Sequence, residues 1–266
     1  MDKLSDDVPG ERPIILHYHL FKNAGTSLDS AFKEAFPDGG WAEAEFDGPP
    51  HVSRAATAKW IEANPQVSCF SSHTALLPAP RVAGARVFPV LFLRHPIDRI
   101  ASAYAFESRQ GAATFGSTLA RHTSLAGYVE TRLSLPNDYQ CRNFHAWRLA
   151  ETIPSAGDGT GEQTLRERAL EALDMLPFVG LVEDFDRSLR CLQEALRAHG
   201  FPDLELYSRK RNVSRAGGHS LEDKLEDVRR EIGEELHERL AAANAVDLEV
   251  HERLRSRFAD RARQAA

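Results

Sequence analysis

The sequence predicts an α/β fold, with a central, mainly parallel sheet flanked by helices in three layers. Three observations carry that expectation. Short β-branched and aromatic runs alternate with longer stretches whose apolar residues recur at helical spacing. The strand-like runs are apolar along most of their length, as strands covered on both faces are. Three of the four runs also stop at chemically capable residues, Lys22, His73 and Arg94, and in such sheets the carboxyl ends of the strands face the ligand.

Residues 13–21 (PIILHYHLF) read as the first strand, with His17 and His19 on one side of it. Residues 22–27 (KNAGTS) form a tight loop of small residues. Leu28, Ala31, Phe32, Ala35 and Phe36 then recur at helical spacing, until Pro37, Asp38, Gly39 and Gly40 close the helix. A turn at 47–50 and a short helix around 55–62 follow. Residues 67–71 (VSCFS) read as a second strand that runs into Ser72 and His73. The third lies within 86–93 (RVFPVLFL) and is expected to begin after Pro89, since proline is foreign to a central strand. Pro96 suits the first turn of the next helix, whose buried side is Ile97, Ile100, Ala101 and Tyr104.

Two or three helices are expected between 117 and 176, broken by a polar surface loop at 155–161. Residues 178–182 (FVGLV) read as a fourth strand, and 184–199 as an amphipathic helix stopped by Gly200. A basic loop at 208–218 (SRKRNVSRAGG) leads into a charged helical stretch, 221–263. The length fits one large domain or two small ones, and the chain is read as one, 1–266, with 1–12 disordered, 107–176 a helical insertion on the acceptor side and 219–266 a helical C-terminal part.

Composition narrows the function. The chain has 39 acidic and 33 basic residues, a net charge of −6. That leaves no bulk basic field for nucleic acid or an anionic membrane, so a bound anion needs a local basic cluster. Cys69, Cys141 and Cys191 are far apart and odd in number, which gives neither a disulfide framework nor a metal pair. A reducing compartment is the expectation. The acidic, polar start has no apolar core of a secretory signal. No apolar run approaches the roughly 20 residues of a transmembrane helix. A cytoplasmic protein without a membrane span is expected.

The first chemical constellation is Lys22, Asn23, Ala24, Gly25, Thr26 and Ser27, between a strand and a helix. Small residues let backbone N–H groups approach an anion, and the helix start adds its positive end. Thr26 and Ser27 add hydroxyl donors. An ATP-binding loop would place its lysine directly after the last glycine, followed by Ser or Thr. Here Lys22 precedes Gly25 by three residues, and the third strand ends in Arg94 rather than an acidic magnesium ligand. The second constellation is Arg94 and Ser102, eight residues apart and able to meet one phosphate across the loop's fold-back.

At these residues a resemblance appears. HLFKNAGTSL and VLFLRHPIDRIASAY resemble the two nucleotide-binding motifs of the sulfotransferases that use 3′-phosphoadenosine 5′-phosphosulfate (PAPS). The branch with the heparan sulfate 2-O- and related carbohydrate enzymes is the most similar, and a soluble, bacterial-type member is implied. Residues 137–142 (NDYQCR), 179–185 (VGLVEDF) and 210–214 (KRNVS) are similar to later family patches. The resemblance implies a P-loop-like fold and sulfuryl transfer from PAPS to an acceptor hydroxyl, leaving 3′,5′-ADP.

In that reading Lys22 contacts the sulfate and bridging oxygen, while Gly25, Thr26 and Ser27 cradle the 5′-phosphate with Asn23 and Ala24. Arg94 and Ser102 hold the 3′-phosphate, and Arg209, Lys210 and Arg211 close over the nucleotide. Where the family often has Asp after the strand-end Arg, this chain has His95.

The acceptor hydroxyl needs a proton acceptor within about 3 Å. His73 stands just past the second strand, on the edge where Lys22 and Arg94 emerge, and the resembling enzymes place a histidine base between the two motifs. His73 is therefore the expected base. His17 and His19 read as satisfied core or rim residues, His51 as part of a turn, His95 as an orienter of the phosphate loop, and Cys69 as inert core. No metal site is read, for want of a ligand pair such as HExxH. A transferring sulfuryl group carries less negative charge than a phosphoryl group, so no metal is required. The rival readings are a P-loop-type kinase for nucleotides or small molecules, and a non-catalytic protein that binds 3′,5′-ADP.

Acceptor specificity is expected in residues 107–148 of the insertion. Its arginines, Arg109, Arg121, Arg132, Arg142 and Arg148, are scattered and read as partners of carboxylates on solvated helix faces. With the acidic balance, this points to a neutral or weakly charged acceptor, on a sugar, a glycolipid or a small metabolite.

Overall fold

A computed structural model describes residues 10–153, 162–208 and 220–264. The first nine residues, the polar loop at 155–161 and the basic loop with Arg209, Lys210 and Arg211 lie outside the described residues. The chain groups into two compact units. The first comprises Met1–Leu93, Glu151–Pro154 and Glu171–Asn212, and the second Arg94–Ala150, Ser155–Leu170 and Val213–Ala266. Each unit has an apolar core of its own.

The first unit begins with β1 (Arg12–Tyr18), α1 (Gly25–Ala35), β2 (Trp41–Glu43), α2 (Pro50–Ala63), β3 (Cys69–Ser72), β4 (Ala85–Val90) and β5 (Phe92–Leu93). Four of these strands form one parallel sheet in the order β2-β3-β1-β4. The period-two pattern sorts its faces. Ile15, Cys69, Phe88 and Val90 share one apolar cluster with Leu28, Ala31 and Phe32 of α1. The same cluster holds Leu189, Leu192 and Leu196 of α8 (Phe185–Ala198). On the other face, Phe70 meets Trp60 of α2 edge-on, with ring centroids 4.8 Å apart. Helices thus flank a parallel sheet, as expected.

Several elements differ from the sequence reading. The first strand stops at Tyr18 rather than Phe21, because the chain turns at once: Leu20 N–H donates to Tyr18 O at 2.8 Å and Asn23 N–H to Leu20 O at 3.2 Å. β2 is a three-residue edge strand without a legible pattern, and α2 is longer than 55–62. The third strand does not begin after Pro89. β4 runs through it, with Pro89 opposite Leu16. As β4 is the sheet's edge, a missing N–H on its outer side costs no ladder bond. Phe92 and Leu93 form a separate parallel pair with β6 (Gly180–Leu181), so the expected 178–182 strand is two residues long.

The second unit is helical: α3 (Pro96–Glu107), α4 (Phe115–His122), α5 (Leu125–Ser134), α6 (Phe144–Ala150), and α9 (Leu221–Ile232), α10 (Glu234–Ala243) and α11 (Ala245–Gln264). With α7 (Glu162–Met175), the 117–176 region holds four helices rather than two or three. Pro96 opens α3 as expected. Ile97 and Ile100 are in the core, while Ala101 and Tyr104 are partly buried at its margin. No helix among the described residues is long and apolar enough to cross a membrane.

Two helix starts in this unit cap each other. Asn143 Oδ1 accepts from the N–H groups of Val246 and Asp247 at 3.1 and 3.2 Å, which caps α11. The Asp247 carboxylate accepts from the N–H groups of His145 and Ala146 at 3.0 and 2.7 Å, which caps α6. Asn143 and Asp247 are 6% and 1% exposed, so both caps are dry. Burial alone would raise the Asp247 carboxyl. The charge and hydrogen bond of His145, with the two backbone donors, instead lower it.

Three of the five arginines singled out in the insertion bind backbone carbonyls rather than carboxylates. Arg109, Arg121 and Arg142 donate to backbone carbonyls of Ala105, Gln110 and Leu133. Arg148 lies over the Phe144 ring. Arg132 does bind carboxylates, Asp138 at 2.7 Å and Glu107 at 3.2 Å, but it is buried rather than on a solvated face.

Candidate functional site

The loop between β1 and α1 is built to present a helix start. Left-handed Lys22 and Ala24 turn the chain sharply, at φ 64° and 60°. Such conformations cost a non-glycine residue about 1–3 kcal/mol and concentrate at functional positions. Ala24 is the N-cap and supplies no side-chain cap; its carbonyl accepts from the N–H groups of Ser27 and Leu28 at 3.0 and 3.2 Å, so the backbone donors this helix start can offer an anion are those of Gly25 and Thr26. Thr26 is exposed, Ser27 and Lys22 are half-buried, and Asn23 is buried with its Nδ2 donating to Phe21 O at 3.0 Å. Lys22, Asn23 and Ala24 form the expected loop, whereas Gly25, Thr26 and Ser27, expected in it, already make the first turn of α1.

Beside this loop lies a histidine cluster whose extent the sequence did not reveal. His17 and His19 both point from the β1 side toward Asp29 of α1. His17 Nδ1 lies 2.7 Å from Asp29 Oδ1, and His19 Nδ1 lies 2.8 Å from Oδ2. Ser71 of β3 donates to Oδ1 at 2.7 Å. Burial alone would raise the Asp29 carboxyl. The charge of His17 and hydrogen bonds from His17, His19 and Ser71 outweigh it and hold the group well below the usual carboxylate range. Asp29 is ionised although only 5% exposed.

Asp29 is the residue that sequence reasoning missed. Its signal is legible in retrospect: it sits beside Leu28 and three residues before Phe32, on the apolar stripe of α1, which follows a strand with alternating histidines.

The cluster continues outward. The His17 and His19 rings stack at 5.3 Å, and His19 meets His73 at 3.7 Å between centroids. His73 follows β3 directly, its side chain is 38% exposed, and its Nε2 is 3.8 Å from Glu43 Oε1. β1 and β3 are neighbours in register, Tyr18 opposite Ser72, so the lysine loop and His73 leave adjacent strand ends. The chain from β1 goes to α1 and β2, on the β3 side, whereas the chain from β3 goes to β4, beyond β1. Diverging exits of adjacent parallel strands make the crevice where such sheets bind ligands.

Gly25 has a role beyond an anion's close approach. A Cβ on it would lie 2.1 Å from His19 Cδ2, so the bare first turn of α1 is what admits the His19 ring.

Two groups of three could hold a cation: His17, His19 and Asp29, and His19, Glu43 and His73, with ligand atoms within 4.8 Å of one another in each. In the first the donors already satisfy each other. The second is half-exposed, and its His19 is oriented by a carboxylate in the manner of metal-ligating histidines. The sequence reading expected no metal ligands to gather. Cys69 is buried, and burial, with the Asp29 charge, raises its thiol far above the reactive range.

In the second unit, Arg94 comes directly after β5, and its Nε donates to Asp98 Oδ2 at 2.6 Å. Asp98 is one turn before Ser102 on α3, so Arg94 is held on the face that carries the half-buried Ser102. A cavity of about 920 Å³ in the first unit, with Pro78, Val87 and Met175 in its walls, includes none of the expected site residues.

No family model matches the chain. An uncharacterized protein of Archaeoglobus fulgidus is 36% identical over 251 residues, with 91% of this chain and 96% of the relative covered. The two chains belong to one family. The likeness extends through both units and nearly the whole of the relative.

Proposed function

We propose that the protein is a PAPS-dependent sulfotransferase with the P-loop-like variant of the α/β fold. One observation supports this above the others. A helix start without a side-chain cap, behind a left-handed lysine loop, and a histidine cluster whose outermost member, His73, is exposed stand together at the ends of β1 and β3. An anion receptor beside a general base is what transfer of a charged group to a hydroxyl requires.

His73 takes the proton of the acceptor hydroxyl as its oxygen attacks sulfur. The sulfur–oxygen bond to the 5′-phosphate breaks in line, and 3′,5′-ADP departs with the electron pair. Lys22 stabilises the charge gathering on that leaving oxygen, while the N–H groups of the first turn of α1, with Thr26 and Ser27, take the phosphate oxygens. The acceptor is a neutral or weakly charged hydroxyl compound, in keeping with a net charge of −6.

The share of the nucleotide that the sequence motif gives to Arg94 and Ser102 is tested by calorimetry. The protein binds 3′,5′-ADP well and ADP poorly, and Arg94→Ala weakens the first by about 1.5–3 kcal/mol, the scale of a charge-assisted contact. Equal affinities of the wild type for the two nucleotides defeat the reading.

A further inference from the structure

The buried carboxylate of Asp29 is more than a tie between α1 and the sheet. Three donors converge on it from β1, β3 and the residue just past β1. As a structural device this is poor value. Replacing a buried charged cluster with apolar groups of similar volume is often neutral or stabilising, by about 1–4 kcal/mol. The arrangement does, however, fix the group above it. Because Asp29 accepts at Nδ1, the neutral His19 ring carries its proton there and bares Nε2. The ring is wedged against Gly25 on one side and faces His73 at 3.7 Å on another. His73 has its nearest carboxylate at 3.8 Å, beyond hydrogen-bond reach. Its placement therefore depends on the His19 platform.

We infer that Asp29 and His19 are positioning residues for His73: Asp29 fixes the tautomer and plane of His19, and the His19 face holds the His73 ring beside the start of α1. This rests on the sulfuryl-transfer reading for its consequence in turnover, but not for the geometry. The orienting carboxylate of a serine-protease triad, bonded directly to its base, is worth roughly 10⁴-fold. Acting through an intervening ring, Asp29 is expected to matter less, about 10- to 100-fold.

The test uses the whole protein, Asp29→Asn as the isosteric variant and His19→Phe as a second that keeps an aromatic face. Long-range ¹⁵N spectra of the histidine rings read the geometry without any substrate. Expected are an Nδ1–H tautomer for His19 and, in Asp29→Asn, displaced signals for His73, which Asp29 does not touch. Turnover is read with radiolabelled PAPS and a panel of monosaccharides and phenols. Expected are a fall in kcat of about 10- to 100-fold in Asp29→Asn, with acceptor KM and 3′,5′-ADP affinity changed by less than about 2-fold. His19→Phe, which retains the face but not its link to Asp29, should lose a similar share of kcat.

Unmoved His73 signals in a folded Asp29→Asn protein overturn the inference. So does a loss of nucleotide affinity that matches the loss of kcat. A wild type that neither binds 3′,5′-ADP nor transfers sulfate to water or any acceptor sinks the sulfotransferase reading instead, and the spectra then judge the pairing alone.

Discussion

Gly25→Ala sets two effects of opposite sign against each other. Gly25 is helical, buried and outside the left-handed region, so alanine fits its backbone. By intrinsic preference the change should stabilise α1 by up to about 1 kcal/mol. Against that, the new methyl would lie 2.1 Å from His19 Cδ2 and 2.3 Å from Nε2, about 1.3 Å inside the 3.4 Å at which ordinary contact begins. The ring cannot retreat freely, since Asp29 holds it at 2.8 Å and His73 faces it at 3.7 Å.

Either His19 leaves Asp29, which costs about 1.5–3 kcal/mol for a charge-assisted bond, or the first turn of α1 shifts, which costs about 1–3 kcal/mol of overpacking. The clash outweighs the propensity, and a net loss of about 1–2 kcal/mol is expected. Urea unfolding followed by circular dichroism measures it. A cycle with His19→Ala isolates the cause: the double variant should recover about 1 kcal/mol or more relative to additivity. A Gly25→Ala protein as stable as the wild type, with the cycle additive within about 0.5 kcal/mol, refutes the lodging of His19 against the helix.

Lys22→Ala and His73→Ala should each lower turnover about 10²-fold or more, and calorimetry should find nucleotide affinity nearly intact in His73→Ala. EDTA should leave turnover unchanged, whereas micromolar Zn²⁺ should inhibit by engaging His19, Glu43 and His73. Glu43→Gln should weaken that inhibition in a dose–response series, while abolition by chelator with rescue by one metal would favour the kinase reading.

Asp29 is lowered on folding, so its contribution to stability is present above the ordinary carboxylate value and is lost as pH falls below about 4. Unfolding free energies between pH 3 and 7 should fall more steeply with acid in the wild type than in Asp29→Asn.

Much of this was legible because it is local. The helical spacing of Leu28, Ala31 and Phe32 and the proline at the start of α3 announce themselves within a few residues. The place of His73 at the end of β3 was legible because it ends a strand-like run. Pro89 misled because its cost depends on which strand lies at the edge, a property of the whole sheet. β2 escaped because three residues carry no period. Asp29 looked like one more polar residue of an amphipathic helix, since its partners are brought to it by the β1–α1 turn and by β3. The histidines were read singly, and a stack is not visible one residue at a time.

The mutual capping of α6 and α11 has a consequence for how the chain is made. Asn143 and Asp247 are about a hundred positions apart, so the ribosome releases α6 long before its cap exists. Until Asp247 emerges, the N–H groups of His145 and Ala146 have only water to accept them, and a short helix in water is marginal. The second unit therefore closes late in synthesis, as one cooperative step. The parallel sheet, whose strands end at Val90, can pair well before that moment.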